Sequence, residues 1–315
     1  KQKLMLLKNL LMSLKLDKIS KSNIVVSIIG PSNSGKSTLL NKILGEKVSI
    51  VSRKVQTTRM GLRGILNNNE TQIIFIDTPG LFEAKTIFEK AMVENAFANL
   101  NDADLIYFLI DGSRKLSNFD KKVLKYFKNF KKEAFLIINK IDLIEKKQLL
   151  EITNIINSYF SFKKTFYISA KNKEGIDDLL LETNHEANSE GWLYPEDQYT
   201  NLQSAILCEE ITREKIFNHV HEEVPYGSIV KTDSWSDKKK ILKIGQTIYV
   251  KKNNHKGIIL GKEGSKIKEI GTASRIDLEK IFNKKIFLSL DVKVDKNWDK
   301  DPKYFNRLGL EVKKR

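Results

Sequence analysis

The stretch Gly30-Pro31-Ser32-Asn33-Ser34-Gly35-Lys36-Ser37 leaves this chain few folds to choose from. Before it, residues 24–29 form an apolar, β-branched run that reads as a buried strand. After it, residues 38–44 carry apolar side chains at helical spacing. Strand, G-x-x-x-x-G-K-S, helix is the context that a phosphate-binding loop requires. Glycine lets the backbone curl so that successive N–H groups face one anion. The helix N-terminus adds its partial positive charge. Lys36 supplies a full charge between the last two phosphates, and the Ser37 hydroxyl can ligate Mg²⁺.

Three later stretches decide which nucleotide. Asp77-Thr78-Pro79-Gly80 ends the strand-like run 72–76, placing a second carboxylate for Mg²⁺ and a free amide at Gly80 beside the γ-phosphate. Asn139-Lys140-Ile141-Asp142 follows the apolar run 134–138. A carboxylate accepting two N–H bonds from a guanine edge rejects adenine, by roughly 10⁴-fold or more where such bonds define the site. Ser169-Ala170-Lys171 follows residues 165–168 and offers a backbone N–H to guanine O6. All four motifs fall at the C-terminal ends of predicted strands, where ligands of open α/β sheets bind. The nucleotide site so read comprises Gly30 to Ser37 with Thr38, then Asp77, Thr78, Pro79, Gly80 and Leu81, then Asn139, Lys140, Ile141 and Asp142, and finally Ser169, Ala170 and Lys171. Residues 23–187 resemble the translation-factor-like class of small GTPases. That resemblance implies a mostly parallel sheet with helices on both faces, and GTP or GDP with Mg²⁺ as ligands.

Between the first helix and the second strand lies the polar stretch Ser52-Arg53-Lys54-Val55-Gln56-Thr57-Thr58-Arg59. In GTPases a mobile switch here supplies a Thr to Mg²⁺ and the γ-phosphate. Thr58 is the favoured residue and Thr57 the alternative. Ser37, Thr58 and Asp77 are thus the candidate metal ligands, and Lys36, Thr58, Asp77 and Gly80 the candidate catalytic residues. Leu81 stands where Ras-like proteins carry a water-positioning Gln, and an aliphatic side chain cannot orient water. Slow intrinsic hydrolysis follows. Asn33 has two readings: it helps hold a monovalent cation, K⁺, near the phosphates, or it merely tolerates a left-handed turn.

The chain has 315 residues, enough for two domains with a core each. Its net charge of +16 suggests an anionic partner, but the distribution matters more. Residues 201–315 carry +9 and residues 1–22 carry +5, leaving +2 on 23–200. The extension 1–22 sets Leu4, Leu7, Leu11 and Leu14 on one helical face among lysines. It reads as a basic amphipathic helix for an anionic membrane surface, as a targeting peptide, or as a disordered extension. The lone Cys208 excludes an intramolecular disulfide, fits a reducing compartment, and reads as a small apolar filler. No apolar run approaches the length of a membrane-spanning helix.

Residues 188–200 read as a linker carrying Trp192 and Tyr194. A helix over 202–224 follows, ended by Val224-Pro225-Tyr226-Gly227, then strands near 228–235 and 241–252. Next come Lys256-Gly257-Ile258-Ile259-Leu260-Gly261-Lys262-Glu263-Gly264-Ser265-Lys266-Ile267-Lys268, a helix to Phe282, and a strand from Lys285 to Val294. This order is that of an α+β KH domain of the prokaryotic, type II arrangement. The G-x-x-G loop of such a domain clamps about four nucleotides of single-stranded RNA through the backbone. Gly261 and Gly264 allow close approach, while Lys256, Lys262, Lys266 and Lys268 neutralise phosphate. Ile258, Ile259 and Ile267 are expected to line the groove for the bases. Glu263 departs from the basic or neutral residue usual there.

A GTPase domain (23–187), a linker (188–200) and a KH domain (201–315) together resemble the Era GTPases, over residues 23 to about 310. Family-like stretches include Val55-Gln56-Thr57-Thr58-Arg59, Pro195-Glu196-Asp197, Glu210-Ile211-Thr212-Arg213-Glu214-Lys215, Glu223-Val224-Pro225-Tyr226 and Asn306-Arg307-Leu308-Gly309-Leu310. Ala205, where the family tends to carry Arg, and the extension 1–22 depart from it. The resemblance implies that GTP frees or orients the KH domain to hold the 3′ end of small-subunit ribosomal RNA. It implies a monomer acting in small-subunit assembly, in a bacterial cytoplasm or an organelle matrix, often peripheral on a membrane. The alternative from another class is a membrane-linked signalling GTPase whose basic ends bind lipid; a G-x-x-G between helices favours RNA.

Overall fold

The computed structural model describes residues 21–52, 58–127, 132–221 and 223–310. The expectations for residues 1–20, for Thr57 and for the Val55-Gln56 part of the switch lie outside these. Strand β1 (Ser22–Ile29) leads through the Gly30–Ser37 loop into helix α1 (Lys36–Leu44). There follow β2 (Leu62–Asn68), β3 (Thr71–Asp77), α2 (Ile87–Ala98), β4 (Leu105–Asp111), α3 (Asn118–Phe127), β5 (Ala134–Asn139), α4 (Lys146–Asn157), β6 (Lys164–Ile168) and α5 (Ile176–His185). The sheet order is β2-β3-β1-β4-β5-β6. Only the β2–β3 hairpin is antiparallel.

β3, β4 and β5 are buried along their whole length, which is why they read as continuous apolar runs rather than alternating ones. One face packs Leu39, Leu40, Ile176 and Leu179 from α1 and α5. The other packs Ala96, Val123, Leu124, Phe127 and Ile156 from α2, α3 and α4. This two-faced burial fixes the four motif-bearing loops at one end of the sheet.

The segment 188–200 is a fastened strap rather than a free linker. Asn188 bridges to Asn23, and Thr200 to Gly64. The Gln72 side-chain oxygen accepts the amides of Leu193 (2.9 Å) and Tyr194 (2.8 Å). The Trp192 indole N–H donates to the Glu70 carbonyl at 2.9 Å.

The second unit comprises α6 (Ser204–His219), β7 (Ser228–Lys238), β8 (Ile241–Val250), α7 (Asn253–Leu260), α8 (Ser265–Phe282), β9 (Lys285–Val294) and α9 (Pro302–Arg307). Its sheet runs β7-β8-β9, antiparallel then parallel. α6 stops at His219, short of the expected Val224. Val220 is already extended, and Pro225 disfavours helical geometry at Val224. Cys208 is wholly buried among Leu207, Ile211 and Leu278, the filler role expected of it.

The two units share an apolar seam. Met60, Phe88, Ala91 and Met92 pack on Ile229, Trp298, Tyr304, Phe305, Leu308 and Leu310. The Phe88 ring meets Trp298 and Phe305 edge-on, each at 5.3 Å between centroids. Arg59 is buried in the same seam. It donates to the carbonyls of Ser228 (2.8 Å) and Tyr226 (3.0 Å), with its guanidinium over the Phe88 and Trp298 rings. Phe88→Ala leaves a cavity that neither unit can close, so it should cost about 3 kcal/mol or more. Urea unfolding of the full chain should show this, with faster proteolytic cleavage at the 188–200 strap.

Candidate active site and nucleic-acid interface

The phosphate loop is shaped by close approaches. A Cβ at Gly30 would lie 2.1 Å from the Leu109 carbonyl oxygen, and one at Gly35 would lie 2.2 Å from Asn139 Nδ2. Gly35 also has φ of 103°, and Asn33 has φ of 62°. Asn33 therefore holds the left-handed turn its identity tolerates. Lys36 is buried; its Nζ donates to the loop carbonyls of Gly30 (3.0 Å) and Pro31 (2.9 Å). Burial pulls its pKa down to about 8, against the opposing pull of Asp77.

Asp77 ends β3 fully buried, with its pKa raised by desolvation and opposed by hydrogen bonds from three hydroxyls and by the charge of Lys36. Its Oδ2 accepts from Ser37 at 2.8 Å and from Ser49 at 2.7 Å, and lies 3.3 Å from Thr58 Oγ1. The Ser37 and Thr58 hydroxyls are 3.0 Å apart. Asp77 Oδ1 is buried with no hydrogen-bond partner among the described residues. One carboxylate, with its spare buried oxygen, and two hydroxyls fit a hard dication that keeps several waters, as Mg²⁺ does. Gly80 is held against the loop: a Cβ there would come within 2.8 Å of Ser32 Oγ and 3.2 Å of Lys36 Nζ. Leu81 is buried, its amide donating to the Gly30 carbonyl at 3.0 Å, so its side chain packs in the core.

At the other end, Asn139 ties three loops together. Its Nδ2 donates to the Ser34 carbonyl at 2.8 Å, and its Oδ1 accepts the Ala170 amide at 2.9 Å. Asp142 is exposed and oriented by the Ser169 hydroxyl at 2.7 Å. Lys140, with φ of 66°, is held by Asp111 at 2.6 Å. A cleft of about 460 Å³ joins the two ends, walled in part by Lys36, Thr38, Val51, Lys140 and Asn218.

In the second unit, the turn Lys262–Gly264 sits between α7 and α8, at the G-x-x-G position. Gly261 and Gly264 have φ of 71° and 75°. A Cβ at Gly261 would meet Lys266 within 2.8 Å, whereas Gly264 faces open space up to Ile267. Glu263 also adopts positive φ, 52°, a conformation that L side chains pay about 1 kcal/mol to hold. Lys262 and Lys268 are exposed, Lys256 is half-buried, and Lys266 pairs with Glu269 at 2.8 Å. Ile258 is exposed and Ile267 half-buried on this face. Ile259 corrects the sequence expectation: it turns inward and is wholly buried with Ile248 and Ile270. On a helix, adjacent residues such as Ile258 and Ile259 point in different directions, so one of them faces the core.

Comparison with known proteins bears on both units. Residues 25–140 match a family model described as a 50S ribosome-binding GTPase, and residues 223–299 match one described as a KH domain. GTPase Era of Agrobacterium fabrum is 45% identical over 290 residues, covering 91% of this chain and 90% of that protein. The chain belongs to the Era GTPase family. GTPase Era of Bradyrhizobium diazoefficiens is 42% identical over 290 residues, covering 92% and 94% of the two chains. A solved structure of Era in complex with MgGDPNP and nucleotides 1506–1542 of 16S ribosomal RNA superposes with a TM-score of 0.86, at 37% identity, covering 91% of this chain and 98% of that one. A variant of Aquifex aeolicus Era bound to GDP·AlF₄⁻ gives 0.85 at 38% identity, covering 91% and 99%.

As an Era GTPase, the chain is a GTP-hydrolysing enzyme with a P-loop α/β domain and a C-terminal KH domain. Sequence reasoning missed two supporting residues. Asp111 ends β4 and steers Lys140; a carboxylate at a strand end facing the motif was a usable cue. Ser49 on the Asp77 carboxylate has no sequence cue, because only the fold brings residues 49 and 77 together. Two outcomes check the site. Asp142→Asn should lose GTP affinity and gain xanthosine triphosphate affinity, read by calorimetry. With Lys36 as the expected phosphate-binding cation, nucleotide affinity should fall as pH rises through about 8. Beyond it the loss approaches tenfold per pH unit.

Proposed function

We propose that this chain uses GTP hydrolysis to govern binding of single-stranded RNA at the 3′ end of 16S-type ribosomal RNA, in maturation of the small ribosomal subunit. The observation that carries the reading is one chain holding both sites: a guanine-type phosphate-loop site, and a G-x-x-G turn between α7 and α8 flanked by exposed lysines. The solved Era structure with nucleotides 1506–1542 of 16S ribosomal RNA supports the choice of RNA. The division proposed is an extension 1–22, a GTPase domain 23–187, a strap 188–200 and a KH domain 201–315. The protein works as a monomer in the cytoplasm, with peripheral contact with the membrane; among the described residues no helix is long and apolar enough to span one.

In the reaction, the Gly30–Thr38 loop and Lys36 bind and orient the phosphates, and the Gly80 amide meets the γ-phosphate. Ser37, Thr58 and Asp77 would hold Mg²⁺, which would supply positive charge against the negative charge that develops in phosphoryl transfer. Asp142 reads guanine; the Ala170 amide, expected to meet guanine O6, is instead donated to Asn139. Buried Leu81 cannot orient the attacking water, so hydrolysis is slow. Asn33, exposed on the loop, is positioned to help hold K⁺ beside the phosphates.

In the KH domain, the G-x-x-G backbone grips phosphate, Lys256, Lys262, Lys266 and Lys268 neutralise it, and Ile258 and Ile267 meet the bases. Gly264→Asp sets a carboxylate where phosphates approach, with room for the side chain but with backbone strain at a φ of 75°. It should cut binding of rRNA 3′-end oligonucleotides by tenfold or more while circular dichroism stays unchanged. Equal binding by the folded variant would overturn the reading. Lys268→Ala should weaken all sequences alike and reduce the log–log salt slope by about 0.7. Glu263→Gly removes both strain and a negative charge, so it should tighten binding and raise the melting temperature. Turnover should rise when K⁺ replaces Na⁺, and Asn33→Ala should abolish that response.

A further inference from the structure

The nucleotide cleft has a wall that the nucleotide-binding domain does not supply. One residue of α6, Asn218, lines it from the RNA-binding domain, and a second, Glu214, one helical turn earlier, anchors the helix beside it. Glu214 Oε1 accepts the Val51 amide at 2.9 Å, and its Oε2 pairs with Lys47 at 2.5 Å. Lys47 also bonds Asp277 of α8 at 2.8 Å. α6 is thereby fastened to the segment that leads into the switch. Asn218, four residues on from Glu214, lines the cleft beside Lys36, Val51 and Ser52. It is exposed, and its side chain makes no hydrogen bond among the described residues. Nothing in the fold requires an amide there.

What the amide can meet follows from the cleft's two ends. Lys36, Ser37 and Thr38 mark the phosphate end, and Lys140 begins the base end. Thr58, Asp77 and Gly80, which surround the γ-phosphate position, do not line this part. The stretch of a nucleotide that joins phosphate to base is the ribose, whose two vicinal hydroxyls each donate and accept. A side-chain amide offers one acceptor oxygen and two N–H donors, which matches such a pair. We propose that Asn218 hydrogen-bonds the ribose hydroxyls of bound guanine nucleotide, so that the RNA-binding domain supplies a specificity residue of the GTP site. The inference rests on the guanine reading of Asp142 and Lys140. Its consequence is direct: nucleotide in the cleft holds α6 against the switch, with no relay through other side chains.

The test is calorimetric titration of the full chain in Mg²⁺ with GTP and with 2′,3′-dideoxy-GTP, together with ATP. The parent should bind GTP about tenfold more tightly than dideoxy-GTP, the factor expected of one or two ribose hydrogen bonds. Asn218→Ala should bind GTP as weakly as the parent binds dideoxy-GTP, with dideoxy-GTP affinity unchanged. Asn218→Asp keeps acceptor oxygens, so it should retain most of the GTP-to-dideoxy-GTP ratio even if both affinities drop beside the phosphates. A purely structural role would lower both nucleotides equally, and that result overturns the proposal. So does a parent that does not distinguish the two sugars, or an Asn218→Ala variant that still does. A parent that fails to prefer GTP over ATP overturns the guanine reading itself. Intact GTP preference with an unmoved sugar ratio in Asn218→Ala overturns only the ribose contact.

Discussion

The buried carboxylate of Asp77 is the point from which the rest of the nucleotide site is strung. It draws hydroxyls from three separate segments: Ser37 of α1, Ser49 of the following loop, and Thr58 of the switch. Burying such a group is costly unless it is hydrogen-bonded or paired. Three hydroxyls and the charge of Lys36 meet that demand, and the same arrangement poises oxygen ligands around one point. Desolvation favours the neutral acid here, and the charge of Lys36 with the hydroxyl hydrogen bonds opposes it. Structure and metal chemistry thus draw on one group.

The second dependency lies one residue further along. Thr58 faces Asp77, and Arg59 turns the opposite way into the seam with the KH domain. A guanidinium near the Phe88 and Trp298 rings, bonded to the Tyr226 carbonyl of the α6–β7 connection and the Ser228 carbonyl at the start of β7, cannot shift without disturbing both domains. Burial and the neighbouring charge of Arg213 pull its pKa down to about 9, against the opposing charge of Glu210. Phe88 stands in the first turn of α2, just beyond the Asp77-Thr78-Pro79-Gly80 loop. The two segments nearest the γ-phosphate position therefore both end in the domain seam.

Much of this was legible in the chain itself. The phosphate loop announced itself because glycine spacing, a strand before and a helix after are local requirements of one backbone shape. β3, β4 and β5 were readable as continuous apolar runs because both their faces are covered. The KH order followed from helix and strand periodicities around Gly261 and Gly264. The misreadings occurred where local pattern competes with tertiary demand. α6 was drawn too long because the apolar residues Val220 and Val224 keep helical spacing while serving an extended segment of the core. That the linker 188–200 is fastened to the first sheet could not be read locally, because its partners Gln72 and Glu70 lie far away in sequence.

The sequence by itself determined the class of chemistry, a GTPase domain with a KH domain, through the phosphate-loop motif around Lys36, the Asn139-to-Asp142 motif and the G-x-x-G turn at Gly261 to Gly264. Each depends on residues close together along the backbone, within reach of short-range rules. Tertiary structure alone decided which residues support them and which stand between them. Ser49 joins Asp77, Asp111 steers Lys140, Ile259 enters the core while Ile258 stays outside, and Asn218 crosses from one domain to the wall of the other's cleft. Those pairings are set by the burial of two sheets and one shared seam. Burial is a property of the whole folded surface, so no window of sequence contains it.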